Sequence, residues 1–362
     1  MASTIDFSSL TLNSEEARLT SELVFEDLFV TPNEISAVHD IQTGVEMDKY
    51  IPILGQYGLV GKADPLNCST NDETGQIPVS EKQWNPKLIS FRLTHCEAEV
   101  PDLLKFWKKS RIAAGTWEDI DNEMMGFIND RTLDATKQAI LRLASFGDTD
   151  ATNVGHGSGS ELITAGVGAD YFTPIDGLWK QIFTAVTGAT GIYKSTISKN
   201  SEATKAAQLA LGSTDAIDAF RDMYENIDPR AIADGGQGLV FQITRSLFNN
   251  WVAFLEDKSL AFTLQTAEQG KVGKYTYRGI PIEVRYDWDR GIMAWQDLGT
   301  TYYLPHRAIL TKLTNIPVGT SDEESMKEVR SFYDYKDKKH YIDVAFKMDV
   351  KMLLDYAVAV AY

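Results

Sequence analysis

The sequence predicts an α+β fold, and three observations carry that expectation. Trp117 to Phe146 reads as one amphipathic helix, which at 1.5 Å per residue would be roughly 45 Å long. Residues 51–90 are rich in Gly, Pro, Asn and Thr and follow no helical or strand period. Beyond residue 257 the hydrophobic period changes from helical to two. An arm, a ribbon, a group of helices and then mixed strands is an α+β order, without the regular alternation of a parallel α/β sheet.

Residues 1–50 read as an extended arm with short helical turns, broken at Thr31-Pro32-Asn33. In 51–90, Val60, Ile77 and Val79 lie among glycines and permit a long two-stranded ribbon. Leu88 to Thr94 alternates as a strand does. Val100 to Ile112 has the spacing of a helix, and Lys105, Lys108, Lys109 and Arg111 make a basic cluster best explained as a solvated face.

In the long helix, Ile120, Met124, Ile128, Ala135, Ala139, Leu143 and Phe146 fall on one stripe. Thr116 and Asp119 fit a capping box, and Gly147 a C′ position. Arg131 interrupts the stripe, so the helix is expected along a surface and not through a core. Asp176 is expected to cap a helix over Leu178 to Phe183. Ser201 to Leu211, Thr214 to Tyr224 and residues 244–257 supply further helices. Tyr275 to Tyr286 alternates, with Arg278-Gly279 as a tight turn and Pro281 confined to an edge or bulge. Ala308 to Leu313, Tyr341 to Met348 and Tyr356 to Tyr362 are the later strands.

Composition narrows the function classes. Apolar content of 43% and aromatic content of 10% are those of a folded globular chain. No 18-residue apolar run exists, so no transmembrane helix is expected, and the first residues lack the order of a secretory signal. Cys68 and Cys96 are too few for a disulfide scaffold, and their spacing does not suit zinc. The net charge is −16, and the first fifty residues hold ten Asp or Glu against two Lys or Arg. That balance opposes a tight grip on nucleic acid.

The catalytic patterns sought are incomplete. Gly155, Gly157 and Gly159 lack the Gly-Lys-Ser/Thr of a phosphate loop, and position 160, where a dinucleotide fingerprint needs glycine, is Ser160. Ser158 is not in a Gly-x-Ser-x-Gly elbow. The five histidines never fall at i and i+4. Asp148-Thr149-Asp150 and Asp287-Trp288-Asp289 complete no calcium loop and suit turns and caps. No enzyme, cofactor or metal is expected.

The order of segments resembles major capsid proteins of tailed bacteriophages with the Hong Kong 97-type fold, most closely versions from phages of Bacteroidetes hosts, including crAss-like phages. Leu141 to Asp150, Tyr171 to Ile182, Tyr277 to Ile282, Leu304 to Thr311 and Asn315 to Thr320 carry the likeness, which spans nearly the whole chain. It implies an N-terminal arm (1–50), an extended loop (51–97), a peripheral domain (98–176 and 305–362) and an axial domain (177–304). It further implies self-assembly as pentamers and hexamers into an icosahedral head around double-stranded DNA, with a portal and scaffold or decoration proteins as partners. DNA contact would be weak and non-specific. The chain would reside in the virion, and in the bacterial host cytoplasm during assembly. An encapsulin-like compartment and a tail or baseplate protein are the alternatives.

The physics of such a subunit points the same way. An arm and a ribbon cannot bury their apolar groups alone. Phe25, Phe29, Leu59, Val60, Ile77, Val79 and Trp84 are therefore the expected contacts with neighbouring subunits.

Overall fold

A computed structural model describes residues 35–46, 49–55, 60, 77, 79–96, 120–151, 168–258, 275–321, 329–334, 336 and 339–362. The helices are α1 (Ile35–Val38), α2 (Ile120–Phe146), α3 (Leu178–Thr187), α4 (Lys205–Leu209), α5 (Asp215–Asn226), α6 (Pro229–Ile232), α7 (Arg245–Asp257) and α8 (Tyr286–Trp295). The strands are β1 (Ile41–Gln42), β2 (Tyr50–Leu54), β3 (Val79–Gln83), β4 (Lys87–Cys96), β5 (Tyr193–Ser195), β6 (Leu239–Ile243), β7 (Thr276–Tyr277), β8 (Ile280–Val284), β9 (Ala308–Lys312), β10 (Val318–Gly319), β11 (Val329–Asp334), β12 (Lys339–Val350) and β13 (Ala359–Ala361). The expected helix over 100–112, the capping box at 116 and 119 and the glycine loop at 153–159 lie outside the described residues.

The strands form two sheets and a separate ribbon. The first sheet runs β1-β10-β12-β11, with β4 also paired to β12. Along β12, Ile342, Val344, Phe346, Met348 and Val350 are buried, and the residues between them are more exposed as far as Lys347, while Asp349 is buried. One face therefore packs and the other meets solvent. The packed face meets Ile140, Leu143 and Ala144 of α2.

The second sheet has the order β5-β13-β9-β6-β8-β7. It is covered on both faces. Ile309 and Val360 join an aromatic cluster with Phe172, Trp179, Phe183 and Trp288. Their neighbours Ala308, Leu310, Ala359 and Ala361 join Phe220, Met223, Leu247 and Trp251 on the other face. Burial on both faces explains the unbroken apolar runs at 308–310 and 358–361. Residues 305–362 thus supply strands to both sheets.

The end of α2 lies between these bodies. Ala139, Ile140, Leu141, Leu143, Ala144, Ser145 and Phe146 are all buried, so the expected surface position fails for the last two turns. The first sheet packs on one side, and α8 with the aromatic cluster packs on the other. Gly147 is required by close approach and not by a left-handed cap. A Cβ there would collide with the Ile175 carbonyl and come within 2.7 Å of the Leu143 carbonyl. Asp176 is likewise not the cap of α3, whose N-cap is Gly177. Its carboxylate instead accepts from the Thr149 amide (2.9 Å) and hydroxyl (2.8 Å).

The hairpin at 278–279 forms as expected, with φ of +50° at Arg278 and +81° at Gly279. Pro281 sits where its missing N–H matters little, because the β6–β8 ladder begins only at Ile282. Residues 286–295, the last of which lie beyond the alternating segment, form α8. Trp288, Ile292 and Trp295 are spaced for a helix, and that spacing outweighs the alternation ending at Tyr286.

Candidate assembly surfaces

Two surfaces present apolar groups that the described chain does not cover. The first is the β2–β3 ribbon, paired from Tyr50↔Gln83 to Leu54↔Val79. Its outermost pair is apolar on both strands, with Leu54 72% and Val79 65% exposed. Val60 and Ile77, beyond that pair, are also exposed.

The base of the ribbon is fixed. The Lys82 ammonium donates to the Met352 carbonyl and pairs with Asp355 at 2.7 Å. The Trp84 amide donates to the Lys49 carbonyl (2.9 Å), and the Asn85 amide to Asp349 (2.7 Å). Trp84 is 1% exposed and packs on Gly319, where a Cβ would lie 2.7 Å from its ring. Trp84 was expected to contact a neighbouring subunit; it is instead part of this chain's own core. Val60, Ile77 and Val79 are exposed as a contact surface requires, and Phe25, Phe29 and Leu59 lie outside the described residues.

The second surface is a groove of about 680 Å³ between the C-terminal half of α2, α8 and the start of α7. Leu209, Tyr286 and Met293 line it and are 50%, 46% and 54% exposed. Arg142 lies in its wall with the guanidinium over the rings of Tyr171 and Phe172, 5.8 and 5.5 Å from their centroids. Its Nε is buried with no hydrogen-bond acceptor among the described residues, and burial lowers its pKa. Asp289, also in the wall, accepts from the Arg245 amide at 2.8 Å. Burial, with a contribution from nearby Asp287, raises its pKa to about 7 against the pull of that amide.

Buried polar nodes hold these elements in place. Arg285 is fully buried and donates to Asp287 (2.7 and 2.8 Å), to Gln242 Oε1 (2.5 Å) and to Ser145 Oγ (2.9 Å). Gln242 in turn donates to the Val38 carbonyl at 2.7 Å. One guanidinium thus ties α2, the second sheet and, through Gln242, α1 together. Arg307 is buried among the rings of Trp179, Phe183 and Tyr303 and donates to Gln296 Oε1 and the Tyr303 carbonyl. Burial lowers its pKa to about 9.

Ser246 and His306 lie 2.7 Å apart, and the second ring nitrogen of His306 faces the Gln208 carbonyl at 2.8 Å. The histidine is fully buried and both its nitrogens are engaged, which makes it a structural link between the 304–307 loop and α7. Of the two aspartate pairs, the first makes the expected turn, whereas Asp287 of the second forms an ion pair instead. Asp148 accepts from the Asp150 amide and pairs with Lys180 at 2.8 Å, and Asp287 holds Arg285. Among the described residues no group of three or more His, Cys, Asp or Glu is placed to hold a metal, and no helix is long and apolar enough to cross a membrane.

No family model and no curated protein matches the chain. Solved structures do. A structure from Gordonia phage Cozz is 11% identical, with 99% of this chain and 98% of that one covered and a TM-score of 0.53. The capsid asymmetric unit of Cyanophage A-1(L) is 12% identical, with 94% and 95% covered and a TM-score of 0.53. The capsid of Myoviridae phage XM1 is 11% identical, with 94% and 95% covered and a TM-score of 0.51. The chain therefore has the α+β fold of Hong Kong 97-type capsid proteins over nearly its whole length.

Proposed function

We propose that this chain is a major capsid protein of a tailed bacteriophage, and that copies of it assemble as pentamers and hexamers into an icosahedral head around double-stranded DNA. The carrying observation is the ribbon. On a chain with a capsid fold, Leu54 and Val79 form an exposed apolar pair on strands anchored at their base by Lys82 and Trp84. A lone molecule gains nothing from that pair, whereas a neighbour that covers it gains roughly 25 cal/mol per Å² of apolar area. Repeated over a closed symmetric shell, such modest contacts add up.

In this reading residues 1–50 are the arm, 51–97 the extended loop, 98–176 with 305–362 the peripheral domain, and 177–304 the axial domain. The role is structural and not enzymatic, and the working location is the virion. Portal, scaffold or decoration proteins would be further partners. The net charge of −16 fits weak, non-specific contact with packaged DNA. Electron microscopy of the expressed protein tests the proposal: closed shells support it, and a small oligomer of fixed size overturns it. Nucleic acid inside particles isolated from infected cells separates a phage head from an enzyme compartment.

A further inference from the structure

We infer that Arg307, Gln296 and Trp179 together bind a small monatomic anion of the chloride class inside the aromatic cluster. The site lies within one chain, so it stands whether or not copies assemble.

Three elements bring these side chains to one place. Trp179 belongs to α3, Gln296 directly follows α8, and Arg307 directly precedes β9. They are 0%, 1% and 0% exposed. The Arg307 guanidinium carbon lies 4.9 Å from the centroid of the Trp179 ring. Its Nη2 donates to Gln296 Oε1 at 2.6 Å and to the Tyr303 carbonyl at 2.7 Å, and its Nε donates to the Leu304 carbonyl at 2.8 Å. That leaves the N–H groups of Nη1. Among the described residues Nη1 meets no acceptor, and neither do Gln296 Nε2 and Trp179 Nε1. The Gln296 amide cannot be turned round to supply one, because its oxygen is already held by Nη2.

The charge is as incomplete as the hydrogen bonding. Arg285, also fully buried, faces the Asp287 carboxylate at 2.7 Å. Arg307 has no such partner among the described residues; the groups that favour its charged form are the phenols of Tyr303 and Tyr362. The rings of Phe146, Trp179, Phe183 and Tyr303 around it offset part of the charge through their faces. As acceptors for N–H groups, rings are weak. A buried cation with unmet donors is unfavourable until both deficits are answered. Water answers one of them. It would accept from these groups, but its own hydrogens would face a set made of donors, and it brings no charge. A monatomic anion accepts from several N–H groups at once, has no hydrogen to place and cancels the charge. The four crowding rings favour so compact an ion over phosphate or sulfate.

Stepwise replacement of gluconate by chloride, at constant ionic strength, tests the site on the full-length chain. A ligand that binds only the folded state raises Tm with its concentration, so chloride should raise the wild-type Tm by on the order of 2–5 °C. Gln296→Glu keeps the oxygen that Arg307 grips and puts a second carboxylate oxygen where the donor was. It neutralises Arg307 from within, and its Tm should not respond to the exchange. Arg307→Met removes the cation and should be equally unresponsive; where it fails to fold, Gln296→Glu alone is the control. An equal wild-type Tm in the two salts overturns the inference. So does a shift of the same size in Gln296→Glu, which marks a general salt effect and not a bound ion.

Discussion

The Gly177 amide donates to the Gly147 carbonyl at 2.9 Å, and this bond seats the start of α3 against the end of α2. Neither residue has room for a side chain. A Cβ on Gly177 would lie 2.6 Å from both the Gly147 nitrogen and the Leu143 carbonyl oxygen, and these are backbone atoms that cannot turn aside. Gly177→Ala is therefore expected to destabilise the chain by about 1–3 kcal/mol, the cost of overpacking a core. A thermal melt of the dispersed protein would show it, and an unchanged Tm would contradict the contact.

The ribbon predicts the opposite pattern. Leu54 and Val79 are exposed, so Leu54→Asp with Val79→Asp should change the stability of the single chain by less than about 0.5 kcal/mol per site. Shell formation should nonetheless be lost. Light scattering reads assembly and circular dichroism reads fold. Intact shells from the double variant would remove the ribbon from the assembly surface.

Asp289 gives a pH dependence of definite sign. Its carboxyl has a pKa of about 7 in the folded chain, against an ordinary value of 3.8. Between those values the folded state binds more protons than the unfolded one, so stability falls as pH rises through the window and stays low above it. Asp289→Asn removes the charge and keeps a side-chain oxygen for the Arg245 amide. It should stabilise the chain above pH 7 by on the order of 2–4 kcal/mol, and have little effect below pH 4. Denaturant melts across that range would decide it.

His39 acts in the other direction. Burial above all, and then Arg285, lowers its pKa from 6.5 to about 4, while its Nδ1 donates to the Ile316 carbonyl at 3.0 Å. Between pH 4 and 6.5 the unfolded state binds more protons, so this histidine's contribution is whole above 6.5 and drains away on acidification. In the wild type the slopes from His39 and Asp289 oppose each other across that interval. The Asp289→Asn variant should therefore lose stability toward pH 4 more steeply than the wild type. Parallel acid limbs would contradict the assignment.

The sequence was most informative where a single period ran without competition. The helices near 120–146 and 245–257, the strands at 87–96 and 339–350 and the turn at Arg278-Gly279 all follow from local spacing. It was least informative where a partner far along the chain decides the outcome. Strand β6 is buried on both faces and shows no alternation to read. Gly147 and Asp176 looked like helix punctuation, but their roles are set by Ile175 and Thr149 across the α2–α3 junction.

The assembly surfaces divide in the same way. An exposed apolar pair such as Leu54 and Val79 can be suspected from residue type within a glycine-rich stretch. Trp84 could not be placed from residue type alone, because its partner Gly319 is 235 residues away in sequence. The groove was invisible, since Arg142, Leu209 and Met293 come from three helices far apart in the sequence.

Strand β13 follows every other described strand in the chain, yet it lies inside its sheet, between β5 and β9. During translation, β9 and β5 must wait for residues 359–361 to clear the ribosome tunnel before they gain their shared neighbour. Residues 1–34 emerge hundreds of residues earlier. A nascent chain thus cannot complete this sheet until the last of its described strands is free to pair.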